Sequence, residues 1–188
     1  MNPALDQLTA SVARLTAEAD ARRLIGRYMA LCDIPVPQHG INDAARCTAI
    51  AALFTADAVW EGIGGAHGAR FGCQKGRVAI RAHMLRFFTE ERPRKTFNTH
   101  FLCTEQVEAD AAGVTGRWVQ FQPWGFEDGA AILRSSRLDV RFAPEDGVLR
   151  IARYRTESLF VADLPADWAT SQIGTSFLDL PLADEGRA

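Results

Sequence analysis

The chain has 188 residues, of which 47% are apolar, so it has enough material for about one domain with a substantial core. Its 21 lysine and arginine residues nearly balance its 23 aspartate and glutamate residues, which gives a formal net charge of −2. This balance argues against nucleic acid as a partner, because binding to phosphates needs a basic face. No apolar run approaches the roughly 20 residues of a membrane span, and the N-terminal segment lacks the pattern of a secretory signal. We therefore expect a cytoplasmic protein with no membrane partner.

The first predicted element is a long helix over residues 4–32. Apolar side chains recur there at steps of three and four, with charged residues between them: Leu8, Val12, Leu15, Ala19, Leu24, Ile25, Tyr28 and Leu31. The pattern stops at Asp33, and Pro35 and Pro37 prevent its continuation. A proline-rich loop follows.

Three shorter elements follow this loop. Asn42 or Asp43 can cap a second helix over residues 44–54, and an extended segment is predicted over 58–64. A third helix is predicted over 76–88. The glycine-rich stretch between the last two elements resembles a phosphate loop only superficially, because it does not open a helix after a strand. It is interpreted as a turn between strands.

The second half of the chain is predicted to be a sheet. Four long segments with mixed alternation are separated by short turn signals, and they cover residues 95–110, 113–126, 129–144 and 147–160. Such tight connections favour a curved antiparallel sheet of consecutive hairpins, and helices followed by strands indicate an α+β fold. Residues 162–188 show little periodicity and are expected to form a tail. We interpret the chain, 1–188, as one domain with its core over about 4–161.

The cysteines and histidines show no metal or cofactor motif. The four cysteines lack CxxC spacing, and we expect them to be reduced and partly buried: Cys32, Cys47, Cys73 and Cys103. The sequence also lacks the HExxH, GxxxxGK[ST] and GxSxG patterns. It therefore predicts neither a metal site nor a cofactor.

Two polar residues are candidates for chemistry. Asp33 ends the first predicted helix, where a carboxylate opposes the helix dipole, and His100 lies within the predicted strand 95–110. Each has a plain interpretation, Asp33 as an exposed loop acid and His100 as a buried histidine bonded to a carbonyl. Together they would form a general base, because the aspartate would orient the imidazole and set its tautomer. Sequence spacing does not show whether they meet.

Five stretches of the chain carry a family resemblance. They are RLIGRYMALCD, LFTADAVWEGIG, KGRVAI, THFLCTEQVEADAAGVTGRW and DGVLRIARYRTESLF, in this order over residues 20–161. They resemble the SnoaL-like branch of the nuclear transport factor 2-like superfamily, which includes polyketide cyclases, scytalone dehydratase, bile-acid 7α-dehydratase and hexachlorocyclohexane dehydrochlorinase. The resemblance implies a cone-shaped antiparallel sheet packed on N-terminal helices around a deep apolar pocket.

The resemblance also implies a site. In the dehydratase and dehydrochlorinase members, a Tyr-x4-Asp unit at the end of the first helix faces a histidine on a following strand. Tyr28, Asp33 and His100 match that pattern. His100 would remove a carbon-bound proton with the help of Asp33, and Tyr28 would donate a hydrogen bond to the substrate. The implied function is a cofactor-independent lyase or isomerase for a hydrophobic cyclic molecule of steroid, polyketide or aromatic type, with dehydration as the favoured reaction.

This chain also departs from the family pattern. Some members carry an acid shortly after the GRW motif, where this sequence has Gln120 and Gln122, so a proton donor to the leaving group is missing or supplied elsewhere. The loop after Asp33 is longer than the usual turn and is expected to reshape the mouth of the pocket.

Other side chains are candidates for the pocket wall. Substrate-binding positions are predicted for large flat groups and one amide, with ordinary core packing as the alternative for the aromatic residues: Trp60, Trp118, Phe54, Phe121 and Gln120. Four arginines of the last two strands are expected mostly on the outer face, although one could bind a carboxylate or phosphate: Arg134, Arg137, Arg153 and Arg155. The remaining histidines are interpreted as surface or structural residues: His39, His67 and His83.

A second function stays open at this point. The small subunit of ring-hydroxylating dioxygenases has the same cone fold and a structural role, so the chain could be a non-catalytic ligand-binding or assembly module. Co-purification with a Rieske-type large subunit would favour that alternative. In either case we expect a homo-oligomer, a dimer or trimer, because the open face of such a sheet carries apolar side chains.

Overall fold

The structure is a computed structural model that describes residues 2–38, 40–165 and 167–168. Its elements in chain order are α1 (Pro3–Cys32), α2 (Asp43–Ala51), β1 (Phe54–Ile63), α3 (Gly65–Ala69), β2 (Cys73–Lys75), α4 (Arg77–Thr89), β3 (Lys95–Asn98), β4 (Phe101–Asp110), β5 (Gly113–Phe126), β6 (Ala131–Glu145) and β7 (Val148–Leu164). Among the described residues, no helix is long and apolar enough to cross a membrane.

The strands form one curved sheet, which confirms the predicted α+β class. The strand order is β2-β1-β7-β6-β5-β3, and β4 also pairs with β5. β1 and β7 are parallel, and the other neighbours are antiparallel. The buried apolar cluster includes residues of α1, α2, α4 and the inner face of the sheet. The helices therefore cover one face of the sheet, and the site lies between the two layers.

The long first helix divides into two unlike halves. Asn2 caps it by accepting a hydrogen bond from the N–H of Ala4 at 3.1 Å, and Pro3 occupies the first turn, where a missing N–H costs nothing. In the second half, Ile25 and Tyr28 are buried against the sheet. In the first half, the predicted apolar stripe is not covered by described residues, since its members are 55–60% exposed: Leu8, Val12 and Leu15.

Several predicted boundaries shift where sheet pairing overrides local propensity. The second helix ends at Ala51 because the N–H of Ile151 donates to the carbonyl of Leu53 at 2.8 Å, which draws Phe54 into β1. The glycine-rich turn contains the short helix α3 between β1 and β2. The last strand continues to Leu164, so the first residues of the predicted tail belong to the sheet. Residues 169–188 of that tail lie outside the described part of the chain.

The predicted strand 95–110 is wrong at one point that matters for the site. It is two strands, β3 and β4, separated at Thr99 and His100. Both pair with β5 along the same edge, Asn98 with Trp124 and Phe101 with Phe121. The break arises because β3 also bonds to the chain that leaves α1. His100 therefore lies in the two-residue break between β3 and β4 and not within a strand.

Candidate active site

A two-residue bridge brings the end of α1 to the sheet edge. The N–H of Ile34 donates to the carbonyl of Asn98 at 2.8 Å, and the N–H of Asn98 donates back to the carbonyl of Ile34 at 2.9 Å. Asp33 precedes the first of these residues, and His100 follows the second by two positions. The bridge thus places two side chains together that are 67 residues apart in the sequence.

Asp33 and His100 form a hydrogen-bonded pair. The Nδ1 of His100 lies 2.7 Å from the Oδ1 of Asp33, and the backbone N–H of His100 donates to the same oxygen at 3.0 Å. The side chains are only 8% exposed for His100 and 19% for Asp33. A carboxylate oxygen can only accept here, so Nδ1 carries the proton and Nε2 has the free lone pair.

Two amides set the same tautomer from the opposite side. The Nδ2 of Asn98 donates to the carbonyl of Cys32 at 2.9 Å, which directs its Oδ1 towards Gln122. The Nε2 of Gln122 donates to that Oδ1 at 2.7 Å and lies 2.9 Å from the Nε2 of His100. Because the amide group presents hydrogens to both partners, the ring nitrogen must accept. His100 is therefore arranged as a base at Nε2.

A buried arginine holds the chain that carries Asp33. Arg46 of α2 donates to the carbonyls of Leu31 and Asp33, both at 2.5 Å, and its guanidinium lies 3.7 Å from the ring centroid of Phe88. Burial lowers the pKa of Arg46. A cation at the C-terminal end of α1 satisfies carbonyls that the helix leaves unpaired. The position of Asp33 is thus fixed by backbone contacts as well as by His100.

Tyr28 lies on the same helix, one turn before Asp33. Its hydroxyl oxygen accepts a hydrogen bond from the Nε1 of Trp60 at 2.9 Å, and Tyr154 packs against both rings. Burial raises the pKa of Tyr28 well above its usual value, so the hydroxyl stays protonated at neutral pH. The side chain of Cys32, in the same cavity wall, is a hydrogen-bond partner of this hydroxyl. Because sulfur is a weak acceptor, a substrate oxygen in the cavity would compete well with it for the hydroxyl proton.

Tyr28, Asn98, His100 and Gln122 line one cavity. Its volume is about 50 Å³, within a recess whose empty space, with its open mouth, is about 460 Å³. Aromatic and apolar walls come from the helices and β1, and polar walls come mainly from β5, β6 and the segment around His100. The polar part of the wall arises because the inner faces of β5 and β6 carry amides and a guanidinium at alternating positions. The described residues contain no group of three His, Cys, Asp or Glu side chains placed to hold a metal ion.

The predicted wall residues divide into two groups. Trp60 and Gln120 line the cavity. Trp118, Phe54 and Phe121 do not, and their placement corrects the prediction. Trp118 faces inward but packs over Gly116 under α1, with its Nε1 donating to Glu105 at 3.1 Å. Phe54 is fully buried behind Tyr28, at 5.5 Å between ring centroids, and Phe121 lies on the outer face, 38% exposed.

Sequence reasoning missed two wall residues. His83 of α4 lies 4.7 Å from the ring centroid of Trp60, and burial lowers its pKa. Arg134 of β6 is buried in the cavity wall, so it is the one that lines this cavity among the four arginines that were expected mostly on the outer face. It pairs in register with Gln122 of β5, so the two-residue period of these strands was the signal that could have placed it.

The other arginines are not in the cavity. Arg137 binds Glu157 at 2.9 Å, and the guanidiniums of Arg153 and Arg155 share Glu61. His67 is exposed, and His39 lies outside the described residues.

The helix-backed curled sheet with a polar pair in its hollow defines an α+β cone of the nuclear transport factor 2-like class. The chain matches the SnoaL-like domain over residues 13–155, and it belongs to that family. No curated protein shows significant similarity to it.

Solved structures show the same fold at low sequence identity. A hexachlorocyclohexane dehydrochlorinase, LinA type 2, is 18% identical, with a TM-score of 0.62 over 80% of this chain and 90% of that chain. A protein from Novosphingobium aromaticivorans, provisionally described as a scytalone dehydratase, is 14% identical, with a TM-score of 0.60 over 80% and 89%. An NTF2-like protein with a cystatin-like fold from the same species is 22% identical, with a TM-score of 0.57 over 82% and 90%.

Proposed function

We propose that this protein is a cofactor-independent lyase or isomerase for a hydrophobic cyclic small molecule, with dehydration as its reaction. The observation that carries this proposal is the Asp33–His100 pair, whose imidazole has its proton on Nδ1 and its lone pair in the cavity. Membership of the SnoaL-like family supports it, and so do neighbours described as a dehydrochlorinase and as a scytalone dehydratase.

In the proposed reaction, His100 takes the proton from the carbon next to a substrate carbonyl. The C–H electron pair becomes the new carbon–carbon double bond and the β-hydroxyl departs with its bonding pair. His100 becomes an imidazolium, which the carboxylate of Asp33 stabilises. The proton that His100 took is then returned to the departing hydroxide, which makes water and restores the neutral imidazole. Proton loss and hydroxide loss balance, so the step needs no oxidant or reductant.

The hydroxyl of Tyr28 supplies the hydrogen bond that favours this step. It would donate to the substrate carbonyl, whose oxygen gains negative charge as the α-proton leaves. In the drier cavity such a bond is worth more than in water. Trp60 holds the phenol oxygen, so Tyr28 does not reorient during the reaction.

Substrate must displace one contact before the base can act. The amide of Gln122 occupies the Nε2 of His100 at 2.9 Å, in the position the reacting proton would take. Gln122 keeps its bond to Asn98 at 2.7 Å when it gives up the imidazole. We infer that Gln122 holds the free enzyme in the reactive tautomer and yields to the substrate.

The test is enzymatic. Cyclic β-hydroxy ketones of one to four rings are incubated with the protein, and the ultraviolet absorbance of the enone product is followed. Replacing His100 with Ala is expected to lower the rate by about 10²–10⁴-fold, since general-base catalysis contributes this much. Gln106→Ala is the control, because Gln106 is exposed and lines neither the site cavity nor the cavity beside it. Turnover by His100→Ala at a near-normal rate would refute the proposal.

A further inference from the structure

Arg134 is the feature that the proposed reaction leaves unused. It is 5% exposed, and it lies in the wall between the site cavity and an outer cavity that opens beside it. Phe71 and Trp124 belong to the same wall, and their ring centroids lie 4.7 and 4.6 Å from the guanidinium carbon. The guanidinium of Arg134 thus borders both cavities and packs mainly against aromatic rings.

Within the described chain, the charge of Arg134 has no ion-pair partner. Its Nε has no hydrogen-bond partner, and the Nε1 of Trp124 is a second buried donor without one. Glu91 is close enough to act on Arg134 through its charge, but it is paired with Lys95. Arg137, three residues along the same strand, binds Glu157 at 2.9 Å. Arg134 therefore differs from its neighbour in lacking the expected acid.

An unpaired buried cation is costly, and the aromatic faces offset that cost only partly. Burial lowers the pKa of Arg134 to about 10, which still leaves the group charged at neutral pH. Two unsatisfied donors of this kind, next to each other in a cavity wall, fit an acceptor that carries negative charge.

The residues that line the outer cavity also favour a negatively charged ligand. Four permanent cations and two carboxylates line it, so its charge is positive although the whole chain is slightly negative: Arg70, Arg92, Lys95 and Arg134 against Glu91 and Asp163. A cavity of this sign concentrates anions beside Arg134. A neutral substrate would gain nothing from it.

We propose that Arg134 binds a carboxylate of the substrate, so that the protein acts on a cyclic hydrophobic carboxylic acid. The planar guanidinium suits a planar carboxylate. Among the described residues that line the site cavity, Arg134 is the one permanent charge, whereas a phosphate dianion would need several. Arg134 and Gln122 are cross-strand partners, whose Cβ atoms lie about 5 Å apart. The carboxylate would therefore bind within one or two rings of the carbon that faces His100.

The inference rests on the proposed function only in placing the substrate in this cavity, and it is tested by binding. Calorimetric titration compares 2-naphthoate with its uncharged analogue 2-naphthamide. Wild type is expected to bind the carboxylate about tenfold or more tightly than the amide. Arg134→Gln should reduce this preference to within about twofold. Arg137→Gln, on the same strand and the outer face, should leave it unchanged.

Several results would overturn the assignment. They are an equal affinity of wild type for both probes, a naphthoate Kd weaker than about 1 mM, or a preference that survives in Arg134→Gln. Tighter binding of 2-naphthyl phosphate would overturn the choice of carboxylate. His100→Ala should keep the preference for naphthoate while it loses turnover. Failure of the proposed reaction would therefore appear in the turnover rate, and failure of the anion site would appear in the binding preference.

A second measurement needs no ligand. If Arg134 is retained for an anion, Arg134→Met removes an uncompensated charge and keeps most of the packing volume. The Tm of the ligand-free protein should then stay level or rise by about 2–4 °C. A fall of that size would assign Arg134 a structural role and overturn the inference.

Discussion

Arginine side chains on the two faces of β6 lie in different environments. Arg134, on the inner face, is buried without an acid, whereas Arg137, on the outer face, is more than half exposed and paired with Glu157. β5 shows the same contrast, because Gln120 and Gln122 line the cavity and Phe121 points away from it. The inner face keeps polar groups available to a ligand, and the outer face satisfies its polar groups within the protein.

The outer face also carries exposed aromatic residues. Phe101 and Phe121 are cross-strand partners, and Phe160 lies 6.3 Å from Phe121 between ring centroids. All three are 38–54% exposed. A row of this kind on a sheet is typical of a subunit contact, so we propose that the protein self-associates through it. The comparison thus predicts catalysis on the inner face and assembly on the outer face, and five substitutions test that prediction.

The largest effect is expected on the inner face from Asp33→Asn. The amide oxygen of the variant can still accept both hydrogen bonds that reach Oδ1, but it carries no charge to stabilise an imidazolium. The amide can also turn its NH2 group towards Nδ1, which favours the other tautomer of His100. The rate should fall by about 10²–10⁴-fold. Nitrogen NMR of His100 should show the proton on Nδ1 in wild type and a mixture in the variant. An unchanged tautomer together with a normal rate would contradict the dyad.

Tyr28→Phe removes one hydrogen-bond donor from the cavity and keeps the ring. A single donor to a developing oxyanion is worth about 10²–10³-fold at its upper end, so a loss of about tenfold or more is expected. The fold should tolerate the change, because the main loss is the acceptor for the Nε1 of Trp60, at a cost of about 1 kcal/mol. The weaker contact of the hydroxyl with the side chain of Cys32 is lost as well. Phe54→Leu, behind the same ring, is the control for packing and should alter stability more than rate.

Gln122→Ala tests the network that sets the tautomer. It leaves the Oδ1 of Asn98 without its donor, and a buried unsatisfied group costs about 1–3 kcal/mol. The free energy of unfolding in urea should fall by that amount. Gln106→Ala on β4 is the matched control, because Gln106 is exposed and should change the free energy by less than about 0.5 kcal/mol. Equal losses would show that Gln122 contributes only as a packed side chain.

Phe121→Asp tests the outer face. A charge within the aromatic row should shift the protein towards monomers in sedimentation velocity, while a monomer that forms keeps its cavity intact. Wild type that is already monomeric at micromolar concentration would refute self-association. A large loss of activity in a folded monomeric variant would show instead that the two faces are coupled.

The smallest effect concerns pH and His83. Burial lowers the pKa of His83 from its ordinary value of 6.5, with Arg86 acting in the same direction and Glu91 opposing. Below pH 6.5 the unfolded chain binds this proton more readily than the folded protein, so the contribution of His83 is complete above that pH and declines as pH falls. His83→Gln should reduce the loss of Tm between pH 7 and 5. His67→Gln should leave that loss unchanged.

Local pattern was sufficient for most of the fold. The helix over 4–32, the capping residue Asn42 and three of the four long sheet segments follow from periodicity and turn residues, which act over a few neighbours. Boundaries failed where a distant strand intervened, as at Phe54 and at the break before Phe101. The site residues Tyr28, Asp33 and His100 were predicted through family resemblance, and their catalytic role stays a prediction.

What the sequence by itself determined was the composition of each face. Alternation along β5 and β6 assigns Gln120, Gln122, Arg134 and Ser136 to one side and Phe121 and Arg137 to the other, although it does not say which side is inside. Only the tertiary structure decided that, because α1 and α4 cover one side of the sheet. The tertiary structure also decided that Asp33 contacts His100. The two hydrogen bonds between Ile34 and Asn98 join residues that are far apart in sequence, and local sequence patterns do not predict such pairing. Pairing between distant residues depends on the whole chain. The burial and the partners of each side chain in the cavity therefore follow from the fold and not from the residues next to that side chain in sequence.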